Sequence, residues 1–450
     1  MTLRFGTDGI RGVANVELTP ELVLALGRAT ATVLGGGRVL VARDTRRSGP
    51  LLEAALVAGL TAEGCDVERL GVLPTPGVAW MAATEGVAGA MISASHNPFA
   101  DNGVKLFVPG GRKVDDATQT ALEAALDRFL DQGGPTGPTG ERRGAEVGAV
   151  TDGGEAAAAR YLESLVASLE GRDLAGLHVV LDCANGAASS VAPRAVGQLG
   201  ARVEVIAAEP DGVNINEGCG SNHPEALQAA VVAAGADLGL AFDGDADRVV
   251  AVDHTGALVD GDHLIAMCAV DLAARDRLAG RTVVVTVMTN LGFRLAMARA
   301  GIEVVETAVG DRHVLEALEE GGWSLGGEQS GHVIFRDLAT TGDGTLTGLQ
   351  ILDLVRRSGR TLADLAAGAM TRLPQVLVNV AVARRRPDVA EAVAGEIAAV
   401  EAALGEPGRV LIRPSGTEPV VRVMVEAPTA AAAEDGARRL ATAVEAACEH

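Results

Sequence analysis

The sequence is poor in aromatic residues, with seven Phe, two Trp and one Tyr among 450 residues. So few aromatic side chains cannot build the stacking platforms with which proteins bind single-stranded nucleic acids. Basic residues are also in deficit, since 38 Lys and Arg stand against 59 Asp and Glu and the net charge is −21. A molecule with this charge repels polyanions, so we expect neither a nucleic-acid partner nor a membrane partner.

Cysteine is scarce as well. The five cysteines are scattered, odd in number and without a C-x-x-C pair, which argues against both a disulfide framework and a zinc site. The N-terminal stretch MTLRFGTDGIRG lacks the apolar core of a secretory signal, and no run approaches the roughly 18 apolar residues of a membrane-spanning helix. These features predict a cytoplasmic protein.

A strand-like run, a helix-like stretch and a second strand-like run follow one another three times along the chain. The first runs span residues 35–44, 174–186 and 278–290, and the second runs span 64–72, 200–210 and 301–310. Strand, helix and strand in this order predict three related α/β domains. The alternative is that unrelated α/β segments rich in Ala, Gly and Val merely look alike.

The chain is too long for a single core. We expect domains at residues 1–150, 151–255, 256–370 and 371–450, with a Gly-rich linker at 131–154. The last domain has a different pattern and is predicted to be a small α+β module. Its predicted strands are 376–383, 409–413 and 420–426, and its predicted helices are 388–404 and 429–447.

In each α/β unit a cluster of polar residues follows a later strand: SASHNP, DGDADR and EQSGH. Open α/β sheets bind ligands outside the carboxyl ends of their strands. The three clusters are therefore expected to face one shared cleft.

The cluster DGDADR places Asp243, Asp245 and Asp247 at alternate positions. Three carboxylates this close repel one another unless a cation joins them, and oxygen ligands suit Mg²⁺ or a similar hard cation. A solvated acidic turn is the alternative.

The stretch IRPSGTEP predicts an anion site. Backbone amides of Ser415, Gly416 and Thr417 can form a concave nest for an anion, and the guanidinium groups of Arg413 and Arg422 match phosphate oxygens. A plain hairpin turn is the alternative.

Three further stretches carry weaker signals. In GGEQSGH, Glu328, Ser330 and His332 stand at alternate positions and suit the recognition of sugar hydroxyls. Arg11 in FGTDGIRG is a possible phosphate contact, and Lys105 is a candidate for proton transfer or phosphate binding. Taken alone, each of them is better explained by a polar turn or, for Lys105, by an ordinary surface position.

Taken together, these stretches supply a nucleophile, a hard-cation site, a phosphate site and a group of sugar-binding residues. That combination is typical of phosphoryl transfer to a sugar phosphate. Phosphate monoesters are extremely inert, so a covalent relay through a hydroxyl would divide the reaction into easier steps. Ser95 in SASHNP is the candidate phosphoryl carrier.

Five motifs, FGTDGIRG, SASHNP, DGDADR, GEQSGH and RPSGTEP, occur in this order over nearly the whole chain. In these motifs the chain resembles the α-D-phosphohexomutases, and it looks most like the members that act on glucosamine phosphates. The resemblance implies three α/β domains with mixed sheets and a smaller C-terminal α+β domain around one central cleft. It also implies an isomerase that interconverts glucosamine 6-phosphate and glucosamine 1-phosphate through a glucosamine 1,6-bisphosphate.

The resemblance also implies a role for each motif residue. Ser95 would be phosphorylated at rest and would bind one Mg²⁺ per active site together with Asp243, Asp245 and Asp247. Acid–base or charge-stabilising work would fall to His96, Lys105, Arg11 and Arg248. The sugar would contact Glu328, Ser330 and His332, and the non-reacting phosphate would contact Arg413, Ser415, Gly416, Thr417 and Arg422.

Two other functions stay open at this point. One is a mutase for glucose or mannose phosphates, and the other is a non-catalytic sugar-phosphate sensor on the same fold. The sensor predicts the loss of Ser95 or of a carboxylate in DGDADR, and all of these residues are present. The expected partner is a phosphorylated hexosamine substrate, and the sequence fits a monomer or a homodimer.

Overall fold

The computed structural model describes residues 5–6, 9–131, 142–382, 386–414 and 419–448. The chain divides into two compact units. The first comprises Met1–Val287 and Ile302–Ala366, and the second comprises Met288–Gly301 and Ala367–His450. Over the described ranges, none of the helices has both the length and the apolarity needed to cross a membrane.

The first sheet has six strands and is accompanied by four helices. The strands are β1 Ile10–Val13, β2 Arg38–Arg43, β3 Asp66–Val72, β4 Ala88–Ile92, β5 Asp101–Phe107 and β6 Val150–Asp152. The helices are α1 Pro20–Leu34, α2 Gly49–Ala62, α3 Thr75–Glu85 and α4 Asp116–Asp131. The order β1-β5-β4-β2-β3-β6 is mixed, because β5 runs antiparallel to both β4 and β1 while the other pairs are parallel. Leu26 of α1, Leu56 of α2 and Leu122 of α4 are buried in one apolar core with this sheet.

The second sheet has five strands. They are β7 His178–Asp182, β8 Arg202–Ile206, β9 Leu238–Phe242, β10 Val249–Asp253 and β11 Leu258–Val259. Its helices are α5 Gly154–Ala167, α6 Ala192–Gln198 and α7 Glu225–Ala234. In the order β11-β10-β9-β7-β8, the strands β8, β7 and β9 are parallel, and β10 turns back antiparallel to β9.

The third sheet has four strands in the order β13-β12-β14-β15. They are β12 Thr282–Thr286, β13 Glu303–Thr307, β14 Leu325–Gly327 and β15 Val333–Phe335, of which β15 alone is antiparallel to its neighbour. The helices of this part of the chain are α8 Gly261–Ala274, α9 Leu291–Arg299, α10 Asp311–Gly321, α11 Gly344–Ser358 and α12 Leu362–Ala369.

The same pair of strands recurs in all three sheets: a strand with a parallel neighbour is followed along the chain by a strand that pairs antiparallel with it. The loop between these two strands carries SASHNP after β4, DGDADR after β9 and EQSGH after β14. The predicted α/β units and the positions of their polar clusters are therefore confirmed.

The second unit contains the three-stranded antiparallel sheet predicted at the C-terminal end. Its strands are β16 Gln375–Ala381, β17 Arg409–Pro414 and β18 Val420–Glu426, in the order β16-β18-β17. Its helices are α13 Val389–Ala392, α14 Ala394–Leu404 and α15 Ala430–Cys448. The single helix predicted over 388–404 is divided, because the backbone of Val393 (φ −108°, ψ 17°) leaves the helical range.

Helix α9 also belongs to the second unit. The side chain of Asn290 accepts a hydrogen bond from the amide of Leu373 at 3.0 Å and donates one to its carbonyl at 3.1 Å. The amide of Leu291 donates to Glu426 at 3.0 Å. These bonds tie the start of α9 to the C-terminal sheet and to the segment before it.

The segment predicted as a linker is partly structured. Residues 132–141 lie outside the described residues. Beyond them Gly144–Glu146 forms a short 3-10 turn, and β6 pairs in parallel with β3. Since β6 has only three residues, its sequence carries no strand periodicity that could have revealed it.

Candidate active site

The three polar loops meet inside the first unit. Ser95 Oγ donates a hydrogen bond to Oδ2 of Asp243 at 2.5 Å. Downstream of the serine loop, Lys105 Nζ donates to Oδ2 of Asp245 at 2.6 Å. From the third loop, Nδ1 of His332 lies 3.8 Å from Oδ1 of Asp247. The structure thus brings together residues of three sheets, as the strand-end argument predicted.

The serine loop holds its central residue in an unusual backbone conformation. Ser95 has φ +53°, in the left-handed region that costs free energy for a residue with a side chain. Its amide donates to Oγ of Ser93 at 2.9 Å, and its own Oγ lies 3.3 Å from Nδ1 of His96. The side chain is therefore aimed at Asp243 by its own strained backbone and by the neighbouring serine.

The aspartates of DGDADR form a compact group of oxygen ligands. Asp243, Asp245 and Asp247 are all buried, and one carboxylate oxygen from each lies within 4.8 Å of the others. Oδ1 of Asp245 and Oδ1 of Asp247 accept no hydrogen bond from any described residue. Buried charged oxygens that accept no hydrogen bond are costly, and hard oxygens in this arrangement suit Mg²⁺. The residues present therefore fit a divalent cation.

The charges in this group strongly affect one another. Burial, followed by the charges of Asp247 and Asp245, raises the pKa of Asp243 to about 8. Burial would also raise the pKa of Asp247, but Lys105 and His332 hold it well below its usual value. The protein alone thus leaves one carboxylate of the group insufficiently compensated, which is the condition that a bound cation relieves.

Lys105 is a buried cation and not a surface residue. Its side chain is 1% exposed and contacts both Asp245 and, at 3.3 Å, Asp247. Burial favours the neutral amine, but these two carboxylates outweigh it and the pKa of Lys105 is raised. Thr75, at the start of α3, also donates to Oδ2 of Asp245 at 2.5 Å. One oxygen of Asp245 is thus fully used, and the other is left for a ligand.

The sugar-motif loop is fixed from both sides. The carboxylate of Glu328 accepts a hydrogen bond from the amide of Gly310 at 3.1 Å. The amide of Glu328 donates a hydrogen bond to the carbonyl of His332 at 2.9 Å. Ser330 is exposed, whereas His332 is buried. Burial favours the neutral imidazole, but Asp247 and Asp311 raise the pKa of His332. The loop therefore exposes Ser330 to solvent, while His332 holds its other end next to Asp247.

Three further predicted residues surround the serine. Burial, then the charges of Arg248 and Arg11, lower the pKa of His96 to about 4, so its ring is neutral at neutral pH. The amide of Arg248 donates to Oδ1 of Asp243 at 3.2 Å. Arg11 stands on β1 opposite Gly103 of β5. The positive charges of both arginines therefore act on His96, whose Nδ1 lies 3.3 Å from the hydroxyl that would carry a phosphoryl group.

Models of four domains of one protein family match the chain from end to end. The family is described as phosphoglucomutase/phosphomannomutase. The matches are alpha/beta/alpha domain I at residues 2–131, domain II at 159–256, domain III at 260–373 and the C-terminal domain at 377–443. The chain belongs to this family. It is a phosphohexomutase, and thus an isomerase, as the resemblance implied.

Individual phosphohexomutases are similar over the whole length. The chain is 54% identical to phosphoglucosamine mutase of Frankia alni over 461 residues, covering 99% of each chain. It is 54% identical to phosphoglucosamine mutase of Rhodococcus jostii over 431 residues, covering 94% of this chain and 95% of the relative. A phosphoglucomutase/phosphomannomutase family protein of Burkholderia thailandensis has a similar structure, with a TM-score of 0.79 at 27% identity, over 98% of this chain and 97% of that one.

In the second unit of this phosphohexomutase, two of the predicted phosphate-binding residues are described. Arg413 on β17 stands directly opposite Arg422 on β18. Burial and the charge of Arg422 lower the pKa of Arg413. The other three predicted residues, Ser415, Gly416 and Thr417, lie outside the described residues.

Two side chains of the phosphohexomutase site were missed by the sequence analysis. Arg46 donates to the carbonyl of Ser95 at 2.9 Å, and so does Nδ2 of Asn216. Arg46 follows the buried strand β2 within VARDTRRSG, so the strand-end argument would have identified it had it been applied to this strand as well. Asn216 lies in the long connection between β8 and α7, where no periodic pattern distinguishes it.

Proposed function

We propose that this phosphohexomutase interconverts glucosamine 6-phosphate and glucosamine 1-phosphate, which would supply UDP-N-acetylglucosamine and peptidoglycan precursors. Ser95 carries the phosphoryl group, and glucosamine 1,6-bisphosphate is the intermediate and activator. The observation that carries the proposal is the 2.5 Å hydrogen bond from Ser95 Oγ to Asp243 within a buried group of three carboxylates. The names of the Frankia alni and Rhodococcus jostii relatives support the choice of the amino sugar.

In the first half-reaction, a substrate hydroxyl attacks the phosphorus of phosphorylated Ser95. The bond between phosphorus and Ser95 Oγ breaks, a bond to the sugar oxygen forms, and the proton of the sugar hydroxyl passes through an acid–base group to Ser95 Oγ. In the second half-reaction, Ser95 Oγ gives up this proton and takes the other phosphate from the bisphosphate, and the sugar oxygen that loses the phosphate receives the proton. The proton thus returns to the sugar, and the enzyme regains its phosphoserine.

Proton transfer and charge stabilisation are assigned to His96, Lys105, Arg11 and Arg248. His96 Nδ1 lies 3.3 Å from Ser95 Oγ, which supports a role in proton transfer at this oxygen. Lys105 is held protonated by Asp245 and Asp247, which supports a role as a fixed cation. Arg11 and Arg248 add positive charge on the side of His96.

The acidic loop is assigned to one Mg²⁺ per active site. Asp243, Asp245, Asp247 and phosphorylated Ser95 would be its ligands, and the two buried carboxylate oxygens that accept no hydrogen bond from the described residues, one on Asp245 and one on Asp247, support this assignment. When bound, the ion neutralises charge on the phosphoryl group that is transferred.

Substrate binding is assigned to two further sets of residues. Glu328, Ser330 and His332 contact the sugar, which the fixed loop with its polar tip supports. The phosphate that is not reacting contacts Arg413, Ser415, Gly416, Thr417 and Arg422. The pairing of two guanidinium groups on neighbouring strands supports this second assignment, because an anion between them would relieve their repulsion.

We also infer a cytoplasmic location, with monomer and homodimer both compatible with the proposal. All five cysteines are free thiols, and Cys65, Cys183, Cys219 and Cys268 are buried. Free thiols are typical of a reducing compartment.

The proposal is tested by comparing the purified enzyme on the 6-phosphates of glucosamine, glucose and mannose. We expect the highest kcat/KM with glucosamine 6-phosphate. A higher kcat/KM with glucose or mannose 6-phosphate would assign the enzyme to the sibling mutases. Binding of all three without turnover would identify a sugar-phosphate sensor.

A further inference from the structure

The backbone carbonyls of the serine loop are held by one buried arginine. The side chain of Arg46 is 0% exposed, and it uses all five of its N–H groups. Nε donates to Oδ2 of Asp44 at 2.8 Å. Its two terminal nitrogens donate to four carbonyl oxygens of the loop: Ser95 at 2.9 Å, Asn97 at 2.8 Å, Asp101 at 3.1 Å, and Pro98. No donor of this guanidinium remains for a substrate, so its whole capacity serves the loop.

A second side chain, from a different domain, bonds to two of the same carbonyls. Nδ2 of Asn216 donates to the carbonyl of Ser95 at 2.9 Å and to that of Asn97 at 3.1 Å. An amide nitrogen carries two hydrogens, and both are used here. Asn216 is itself held by its amide, which donates to the carbonyl of Ala184 at 2.9 Å. The serine loop of the first sheet is thus fastened to the domain that supplies Asp243.

The loop needs such support because of its backbone. A residue with φ near +53° is strained, and strain persists only where the surroundings over-determine the conformation. A relaxation of Ser95 towards ordinary φ values would rotate its Oγ away from Asp243. The amide side of Ser95 is held by Ser93, whose hydroxyl donates to Asp44 at 2.6 Å. Since Asp44 also bonds Arg46, one buried network holds both sides of the serine peptide.

We propose that Arg46 and Asn216 act together as a carbonyl clamp. The clamp holds Ser95 Oγ in position beside the three aspartates of the second domain, Asp243, Asp245 and Asp247. This inference rests on the proposed role of Ser95 as phosphoryl carrier. Every N–H group of the Arg46 guanidinium and of the Asn216 side-chain amide is used on Asp44 or on backbone carbonyls, so the two members are positioning residues. It is required in both half-reactions, because Oγ gives up a phosphoryl group in one and accepts it in the other. A displacement of about 1 Å in such a geometry can slow a reaction roughly a hundredfold.

The test uses Asn216→Ala and, as a second variant, Arg46→Lys. Asn216→Ala removes two hydrogen bonds to the loop and no group that meets the substrate. We expect kcat to fall roughly ten- to hundredfold while KM for glucosamine 6-phosphate stays within about twofold. Arg46→Lys keeps the charge beside Asp44, but a single ammonium with three donors cannot serve four carbonyls, so we expect a similar loss. The phosphorylation of Ser95 by added glucose 1,6-bisphosphate, followed by rapid mixing and mass analysis, should slow by the same factor as kcat.

Thr340→Val is the matched control. The hydroxyl of Thr340 also makes a hydrogen bond between domains, donating to the carbonyl of Gly111 at 2.8 Å, but it does not touch the serine loop. Its removal should lower the melting temperature without changing kcat. If Asn216→Ala behaves like Thr340→Val, or changes KM and not kcat, the clamp is only structural and the inference is overturned.

The same experiment separates the clamp from the proposed function. Wild-type enzyme that phosphorylates Ser95 but does not turn over glucosamine 6-phosphate would overturn the choice of substrate. The slower phosphorylation of Ser95 in Asn216→Ala would still support the clamp. If the wild-type Ser95 takes up no phosphoryl group at all, the carrier role is wrong, and the clamp is overturned with it.

Discussion

At the scale of single residues, the site is governed by an imbalance of charge. Three carboxylates lie within 4.8 Å of one another, and one buried ammonium, Lys105, contacts two of them. Asp243 is the member that Lys105 does not contact, and burial, followed by the charges of Asp247 and Asp245, raises its pKa to about 8. A divalent cation would restore the balance. Each carboxylate of the group therefore contributes to binding through its charge as well as through its oxygen.

Replacing Asp245 by Asn should weaken Mg²⁺ binding by roughly tenfold or more, because ligand charge sets the affinity of such sites. Oδ2 of Asp245 accepts from Lys105 and Thr75, so the amide oxygen of Asn would take that place. Its NH₂ group would then occupy the position of the free oxygen and could not bind a cation. Isothermal titration with Mg²⁺ measures the effect without reference to activity.

Asp253→Asn is the control for this variant. Asp253 is a buried carboxylate at the end of β10, and it accepts hydrogen bonds from Thr255 and Ala257 within its own turn. Its replacement should leave Mg²⁺ affinity unchanged. Equal affinities for Asp245→Asn and the wild type would mean that DGDADR is an acidic turn and not a cation site.

Replacing Ser95 by Ala should abolish turnover while the protein stays folded, because among the described residues no other hydroxyl donates a hydrogen bond to Asp243. The purified wild type should contain a fraction one phosphoryl group heavier, and this mass should map to the peptide with SASHNP. Ser168→Ala, which removes a hydroxyl that caps the end of α5, should keep both the activity and the added mass. Activity of Ser95→Ala close to that of the wild type would rule out the covalent relay.

At the scale of elements, the fold was largely predictable because the strands are buried, apolar and bounded by Gly-rich turns. The runs at 35–44, 174–186 and 278–290 each contain a strand of the structure, at Arg38–Arg43, His178–Asp182 and Thr282–Thr286. The motif residues were predictable because nucleophile, carboxylates and sugar loop each directly follow a strand. Arg46 follows strand β2 and was predictable by the same argument, although its contact with Ser95 spans 49 positions of sequence. Asn216 was not predictable, because it reaches Ser95 across 121 positions from a long connection that has no periodic pattern.

Helix α11 allows a prediction for pH. Asp343 caps its N-terminus, accepting from the amide of Leu346 at 2.8 Å and from the hydroxyl of Tyr161 at 2.8 Å. Burial is the main cause that raises the pKa of Asp343 from 3.8 to about 6. Because the folded pKa lies above the unfolded one, the stability from this group is fully present below about pH 4. This contribution to the free energy of unfolding is lost as the pH rises to about 6, and above that pH the group causes no further change in stability.

Asp343→Asn removes this titration and keeps an oxygen for the amide of Leu346. The stability of the variant relative to the wild type should therefore increase between about pH 4 and pH 6, by on the order of 3 kcal/mol in total, and level off above. Thermal unfolding of both proteins in half-unit pH steps measures the difference. Curves that run parallel over this range would show that Asp343 is not the titrating group.

At the scale of the whole molecule, the enzyme is strongly acidic yet is proposed to bind a substrate with anionic phosphates. With a net charge of −21, attraction must come from local groups of positive charge. One such group lies in the second unit, where Arg413 and Arg422 are direct cross-strand partners. Like charges opposite each other destabilise a sheet, and burial, followed by the charge of Arg422, lowers the pKa of Arg413. This arginine pair is the proposed site for the phosphate that is not reacting.

Arg413→Ala should therefore weaken substrate binding and let more of the bisphosphate escape. The intermediate must give each of its phosphates to Ser95 in turn, so the phosphate that is not reacting has to be held by other groups. The loss of a charged hydrogen bond costs about 1.5–3 kcal/mol, which corresponds to a roughly ten- to hundredfold rise in KM.

Arg439→Ala is the control, since Arg439 on α15 pairs with Glu396 and belongs to no proposed site. The measurement is bisphosphate released per turnover, with and without bisphosphate added to the assay. Should Arg413→Ala match Arg439→Ala in both KM and release, the arginine pair has no part in holding the phosphate, and the proposed second set of binding residues is wrong.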